Sequence, residues 1–136
     1  MKLIKQIKKW SVVGIPLILL AGIAILLFGC SQESFNGNRV KNPDSYLLDI
    51  DSMNGTDLHT LELQEGDVLK IHFETVRGSM YMEIKAPNGT TVYSGNGKEL
   101  TDFAVNISES GVYTVVVESK RAKGIIHIQL REERST

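Results

Sequence analysis

Leu69-Lys70-Ile71-His72-Phe73-Glu74, followed by Arg77-Gly78-Ser79 and Met80-Tyr81-Met82-Glu83-Ile84-Lys85-Ala86, reads as two strands separated by a turn. Apolar and polar residues alternate in both runs. That period of two gives a strand one apolar and one polar face. The same alternation returns at Phe103, Val105 and Ile107, at Tyr113, Val115 and Val117, and at Ile126, Ile128 and Leu130. Shorter candidates are Tyr46–Asp51, Leu58–Leu63 and Thr90–Tyr93. Glu65-Gly66-Asp67, Pro87-Asn88-Gly89, Gly95-Asn96-Gly97, Ser110-Gly111 and Lys123-Gly124 supply turn chemistry between the runs. About eight short strands at this spacing predict an all-β fold, a small antiparallel β-sandwich of jelly-roll or Greek-key type. Residues 46–131 form one series with no internal repeat, and 132–136 read as a tail.

Upstream the chemistry changes. Of 136 residues, the first 30 hold 20 hydrophobic residues, four lysines and no acid. Residues 31–136 hold 11 Lys+Arg against 16 Asp+Glu, a net charge of −5. An acidic domain repels phosphate, so nucleic acid is not an expected partner. Lys2, Lys5, Lys8 and Lys9 precede the uncharged run Val12–Phe28, the layout of a secretory signal. Seventeen helical residues span about 25 Å, the lower limit for a hydrocarbon core. Residues 31–45 contain only Phe35 and Val40 as apolar residues and carry the loop signals Asn36-Gly37 and Asn42-Pro43. They read as a flexible tether with a taut reach near ~50 Å, enough to hold the domain off the membrane. The alternative is that part of this segment packs along the domain through Phe35.

Leu27-Phe28-Gly29-Cys30 resembles the lipobox of bacterial lipoproteins. Leu27, Gly29 and Cys30 match that family's pattern, and Phe28 is larger than the family's usual residue. The resemblance implies lipid transfer to the Cys30 sulfur, cleavage after Gly29, and often acylation, such as palmitate, of the new amino terminus. Residues 1–29 would then be a lipoprotein signal peptide and 30–45 the lipidated cysteine with its tether. Membrane lipid is the partner implied through acylated Cys30, at the extracytoplasmic face of the cell membrane. Cys30 is the only cysteine and stands where the composition switches. The competing reading is an uncleaved single-pass anchor.

A second resemblance lies within the domain. Leu61 to Asp67, Met80 to Gly89, and Phe103 to Lys123 around Gly111-Val112-Tyr113 look like GOLD-type β-sandwiches and related jelly rolls. The shared feature is a Gly-x-Tyr start to a late strand. That family's disulfide has no counterpart here, and its trafficking role is not carried over. The resemblance implies an adhesive, non-catalytic use of the fold.

Residues suited to catalysis are sparse. His59, His72 and His127 show no HxxxH or HExxH spacing. His72 and His127 fall on polar strand faces, and His59 shares parity with Leu61 and Leu63. There is no GxSxG elbow, and Gly95-Asn96-Gly97-Lys98 lacks the spacing of a phosphate loop. Asp49, Asp51, Asn54 and Asp57 form the one candidate metal set, oxygen ligands of the kind calcium takes. Met53 and Asn54 break the EF-hand order, so a plain solvated turn competes with that reading. Lys120-Arg121-Ala122-Lys123 is a basic cluster read as a hairpin turn, either solvated or facing anionic lipid or wall polymer. Tyr81 and Tyr93 are the candidates for exposed aromatic rings on strands.

No cofactor is expected and no catalytic residue is assigned. The expected function is a non-enzymatic binding or interaction module of the cell envelope, contacting an unidentified envelope protein or polymer. The alternatives are a structural envelope component supporting a membrane complex and, third, a small hydrolase.

Overall fold

The computed structural model describes residues 32–131. The signal segment 1–29, Cys30 and the tail 132–136 lie outside the described residues. Six strands follow in order: β1 (Ser34–Asn42), β2 (Ser45–Leu63), β3 (Val68–Lys85), β4 (Thr91–Gly95), β5 (Asp102–Asn106) and β6 (Gly111–Leu130). All pairings are antiparallel. The order is β1-β2-β6-β3-β4, with β5 also on β3. The expected all-β antiparallel fold is present.

Three of these strands are very long, and each folds over at its middle. In β2 the register shifts between Ile50 and Met53 and again before Gly55; in β3 it shifts between Thr75 and Arg77 and before Ser79. β6 passes the same line at Lys120 to Lys123. The inward-facing residues change parity there. β2 buries Tyr46, Leu48 and Ile50, then Met53, Leu61 and Leu63; β3 buries Leu69, Ile71 and Phe73, then Met80, Met82 and Ile84; β6 buries Tyr113, Val115 and Val117, then Ala122, Ile126 and Ile128. An extra residue at a bulge turns the strand and exchanges its faces. Three bulges in line therefore fold one sheet into two layers around a single core.

The first layer holds β1, residues 45–50 of β2, 124–130 of β6, 68–75 of β3, and β5. The second holds residues 55–63 of β2, 111–119 of β6, 79–85 of β3, and β4. Counted as half-strands plus β4 and β5, these are the eight runs visible in the sequence. Two turn assignments are corrected. Arg77-Gly78-Ser79 and Lys123-Gly124 lie at bends inside continuous strands, not at chain reversals. Gly78 has φ +70°, and a Cβ there would strike the carbonyl oxygens of Lys120 and Arg121. Only glycine fits that crossing.

Contacts between the layers close the ends. The Glu62 amide donates to the Pro43 carbonyl at 2.8 Å, and the Gly66 amide to the Ile107 carbonyl at 2.8 Å. On the open side the Tyr93 ring of β4 stacks on Phe103 of β5, centroids 4.5 Å apart.

The tether assignment is also corrected. Ser34–Asn42 is strand β1, paired with β2 from Ser34↔Asn54 to Asn42↔Ser45. It lacks apolar periodicity because it is an edge strand exposed almost throughout, with only Phe35 packed on the core. Its cations and the bulge at Gly37 suit an edge that must not pair with other chains. A stand-off of tens of ångströms is therefore not available from residues 34–42.

Candidate functional site

The polar residues gather in two places. The first is at the closed end, where β1 meets the fold of β2. Asp57 is 8% exposed and sits on the inward parity of β2. Its carboxylate accepts a hydrogen bond from the Tyr46 hydroxyl. It also faces the Arg39 guanidinium at 3.2 Å and the Lys41 ammonium at 3.3 Å. Lys41 donates onward to the Leu58 carbonyl at 2.8 Å. Burial first, then the neighbouring Asp57, holds the Tyr46 phenol far above its ordinary value. The His59 ring lies 4.9 Å from that of Tyr46, and its Nε2–H donates to the Asn42 carbonyl at 2.7 Å. Arg39 also covers the Phe35 ring at 4.1 Å. This network stitches β1 and both halves of β2 together.

The second place is the outer face of the first layer. Antiparallel register sets His127 of β6 directly opposite His72 of β3, and His72 opposite Asp102 of β5. His72 Nδ1 hydrogen-bonds Asp102 at 2.7 Å, and its Nε2 lies 3.5 Å from Glu74. His127 Nε2 hydrogen-bonds Asp49 at 2.8 Å. The hydrogen bond to Asp102 is the main cause that raises the His72 pKa, and slight burial opposes it. These bonds tie the imidazoles to carboxylates on an open sheet.

The candidate calcium residues do not converge. Asp49 to Asp57 is bent strand, not a loop. Asp49 is committed to His127, Asp57 to Tyr46, Arg39 and Lys41, Asn54 pairs with Ser34, and Asp51 is exposed at the bend. Among the described residues, no group of three or more His, Cys, Asp or Glu is placed to hold a metal ion. Tyr93 is turned inward onto Phe103, with burial raising its pKa, while Tyr81 is 43% exposed.

The outer face of the second layer differs in character. Register makes Leu58 of β2, Val116 of β6, Glu83 of β3 and Ser94 of β4 one cross-strand row. Thr60, Thr114, Lys85 and Thr91 form the next, Glu62 and Val112 the one after, while Thr56, Glu118 and Tyr81 lie on the other side. Leu58 is 55% and Val112 50% exposed. Leucine, valines and threonines thus make an apolar stripe, bordered by Glu62, Glu118, Tyr81 and the pair Glu83 and Lys85, 3.7 Å apart. The run Leu58–Leu63 is too short to reveal it, because the stripe is assembled from β2 and β6, far apart in sequence.

No protein-family model and no curated protein matches the chain. Among solved structures, one that is similar is the carbohydrate-binding module TmCBM61 in complex with β-1,4-galactotriose. The two share 11% identity, over 70% of this chain and 69% of that one, with a TM-score of 0.35.

Proposed function

We propose that this chain is a membrane-anchored extracytoplasmic lipoprotein whose β-sandwich serves as a non-enzymatic binding module of the cell envelope. The observation that carries the binding role is the pair Leu58 and Val112, apolar side chains left in solvent on the outer face of a sheet, with half-buried Val116 opposite Leu58. The face spans roughly 15 Å across four strands and 20 Å along them, a size suited to a weak or transient partner. Glu62 and Glu118 at its border favour a partner that brings cations to the rim, while Glu83 already faces Lys85. The anchoring part rests on Leu27-Phe28-Gly29-Cys30 and the basic, then apolar, leader. Two acyl chains suffice for stable attachment where one is marginal.

Photo-crosslinking residues placed at Leu58 and Val112 of the protein in its native envelope test the binding role. A discrete adduct from both positions, absent from a crosslinker at Lys70 and lost in Leu58→Glu, is expected. Equal adducts from Lys70, or none from Leu58 and Val112, would overturn it.

A further inference from the structure

The fold line carries a second, differently charged surface. Where β3 and β6 bend, Arg77 pairs directly with Lys123, and Lys120 pairs with Ser79. Arg121 stands between, outside the ladder. All four cations are exposed, and among the described residues none of them makes an ion pair. Asp51, on the adjoining bend of β2, and Glu33, whose side chain lies against Gly55 of that bend, are exposed carboxylates on the same side of the fold. Val76, 60% exposed, projects from the same bend.

Two local rules are broken at this one place. Like charges directly opposite on paired strands destabilise a sheet. Arg121 adopts φ +46°, the only positive φ of a non-glycine residue among those described. Glycine or asparagine would adopt it at lower cost. Such departures concentrate where a function needs the side chain. They occur here in a domain whose overall charge is negative.

The third observation is where the chain enters. β1 starts at this same bend, with Ser34 opposite Asn54 and Phe35 opposite Met53, while Met53 pairs with Ala122. Cys30 precedes Ser34 by four residues, a covalent reach of at most about 14 Å. An acyl group on Cys30 therefore keeps the bend, with its four cations, within reach of the lipid surface.

We propose that the crest of Arg77, Lys120, Arg121 and Lys123 docks on anionic phospholipid headgroups of the membrane that holds the anchor. The inference rests on the lipid-anchor reading. It turns the domain crest-down and leaves the Pro87-Asn88-Gly89 turn, at the far end of β3, away from the membrane. Each cation near such a surface raises the docked population about fivefold, and salt screens the attraction.

Tryptophan fluorescence in vesicles tests it. Trp10 is the chain's only tryptophan, so Trp10→Phe with Val76→Trp puts a single reporter on the crest, and Asn88→Trp puts one at the far end. Protein processed in its own cell membrane and extracted from it is reconstituted into vesicles containing brominated lipid, either pure phosphatidylcholine or with about one-third phosphatidylglycerol. Quenching at position 76 only with phosphatidylglycerol, reversed by high salt and lost in R77Q/K120Q/R121N/K123Q, is expected. Position 88 stays unquenched throughout. Equal quenching in both lipids, or quenching that survives the fourfold substitution, would overturn the crest. Flotation separates the two claims: protein that floats with phosphatidylglycerol vesicles without quenching at 76 refutes the crest alone, and protein that does not float with either lipid refutes anchor and crest together.

Discussion

The Tyr46 hydroxyl donates to the Asp57 carboxylate, eleven residues later in the same strand. In an unbent strand those residues stand about 37 Å apart. The bond exists only because β2 folds back on itself, and Arg39 and Lys41 of β1 close on the same carboxylate.

Asp57→Ala removes the acceptor and leaves a buried hydroxyl and two cations without it. The expected loss is about 2–4 kcal/mol of unfolding free energy, moderated because Arg39 and Lys41 are each about one-third exposed. Tyr46→Phe keeps the two ion pairs and loses one hydrogen bond, for about 1–2 kcal/mol. Urea unfolding monitored by circular dichroism measures both; a neutral Asp57→Ala would count against the network.

The bend predicts opposite responses at two neighbouring positions. Gly78→Ala forces a Cβ onto the carbonyls of Lys120 and Arg121 at φ +70°, with an expected loss of about 2–4 kcal/mol. Arg121→Gly relieves the positive φ without removing a ladder partner. It is expected to be neutral or to stabilise by up to about 1 kcal/mol, gain from relieved strain offsetting added chain entropy. Thermal or urea unfolding of the two variants checks the signs.

His72 titrates above its ordinary value because Asp102 accepts its Nδ1–H and stabilises the imidazolium. With the folded pKa raised, the stabilisation is fully present below the unfolded value of about 6.5. It is lost as pH rises through the folded pKa. Asp102→Asn is expected to lower the His72 pKa and flatten stability between pH 6 and 8. An NMR titration of the ring protons reads this directly; an unchanged His72 midpoint in Asp102→Asn would contradict it.

Much of this architecture was written in local patterns. Alternation at Leu69–Glu74, Met80–Ala86, Tyr113–Glu118 and Ile125–Leu130 marks the half-strands and their inward faces, because burial on one side of a sheet imposes period two. Connectivity was not legible in the same way. A glycine between two runs fits a reversal or a bulge equally well, so Gly78 and Gly124 looked like turns. Their true role is visible only in the alignment of three bends across β2, β6 and β3. β1 escaped because an edge strand exposed on both sides has no apolar rhythm. Of the polar sites, Asp57 carried one signal, an acid on the same parity as Leu61 and Leu63. Its partners Arg39 and Lys41 lay in the stretch read as tether. The pairing of His72 with His127 and the stripe of Leu58 with Val116 depend on register between distant strands, which periodicity does not encode.

The anchoring claim turns on one sulfur. Cys30→Ser is expected to leave unprocessed precursor in the membrane and to abolish incorporation of a fatty-acid analogue. Normal processing in that variant would remove the lipobox from consideration.

Intact mass analysis of the native protein extracted from its membrane bears on the whole reading at once. The expected species begins at Cys30, lacks residues 1–29, and carries the added mass of a diacylglyceryl group, with or without an amino-terminal acyl chain. A chain that retains its first 29 residues and carries no acyl mass would contradict it.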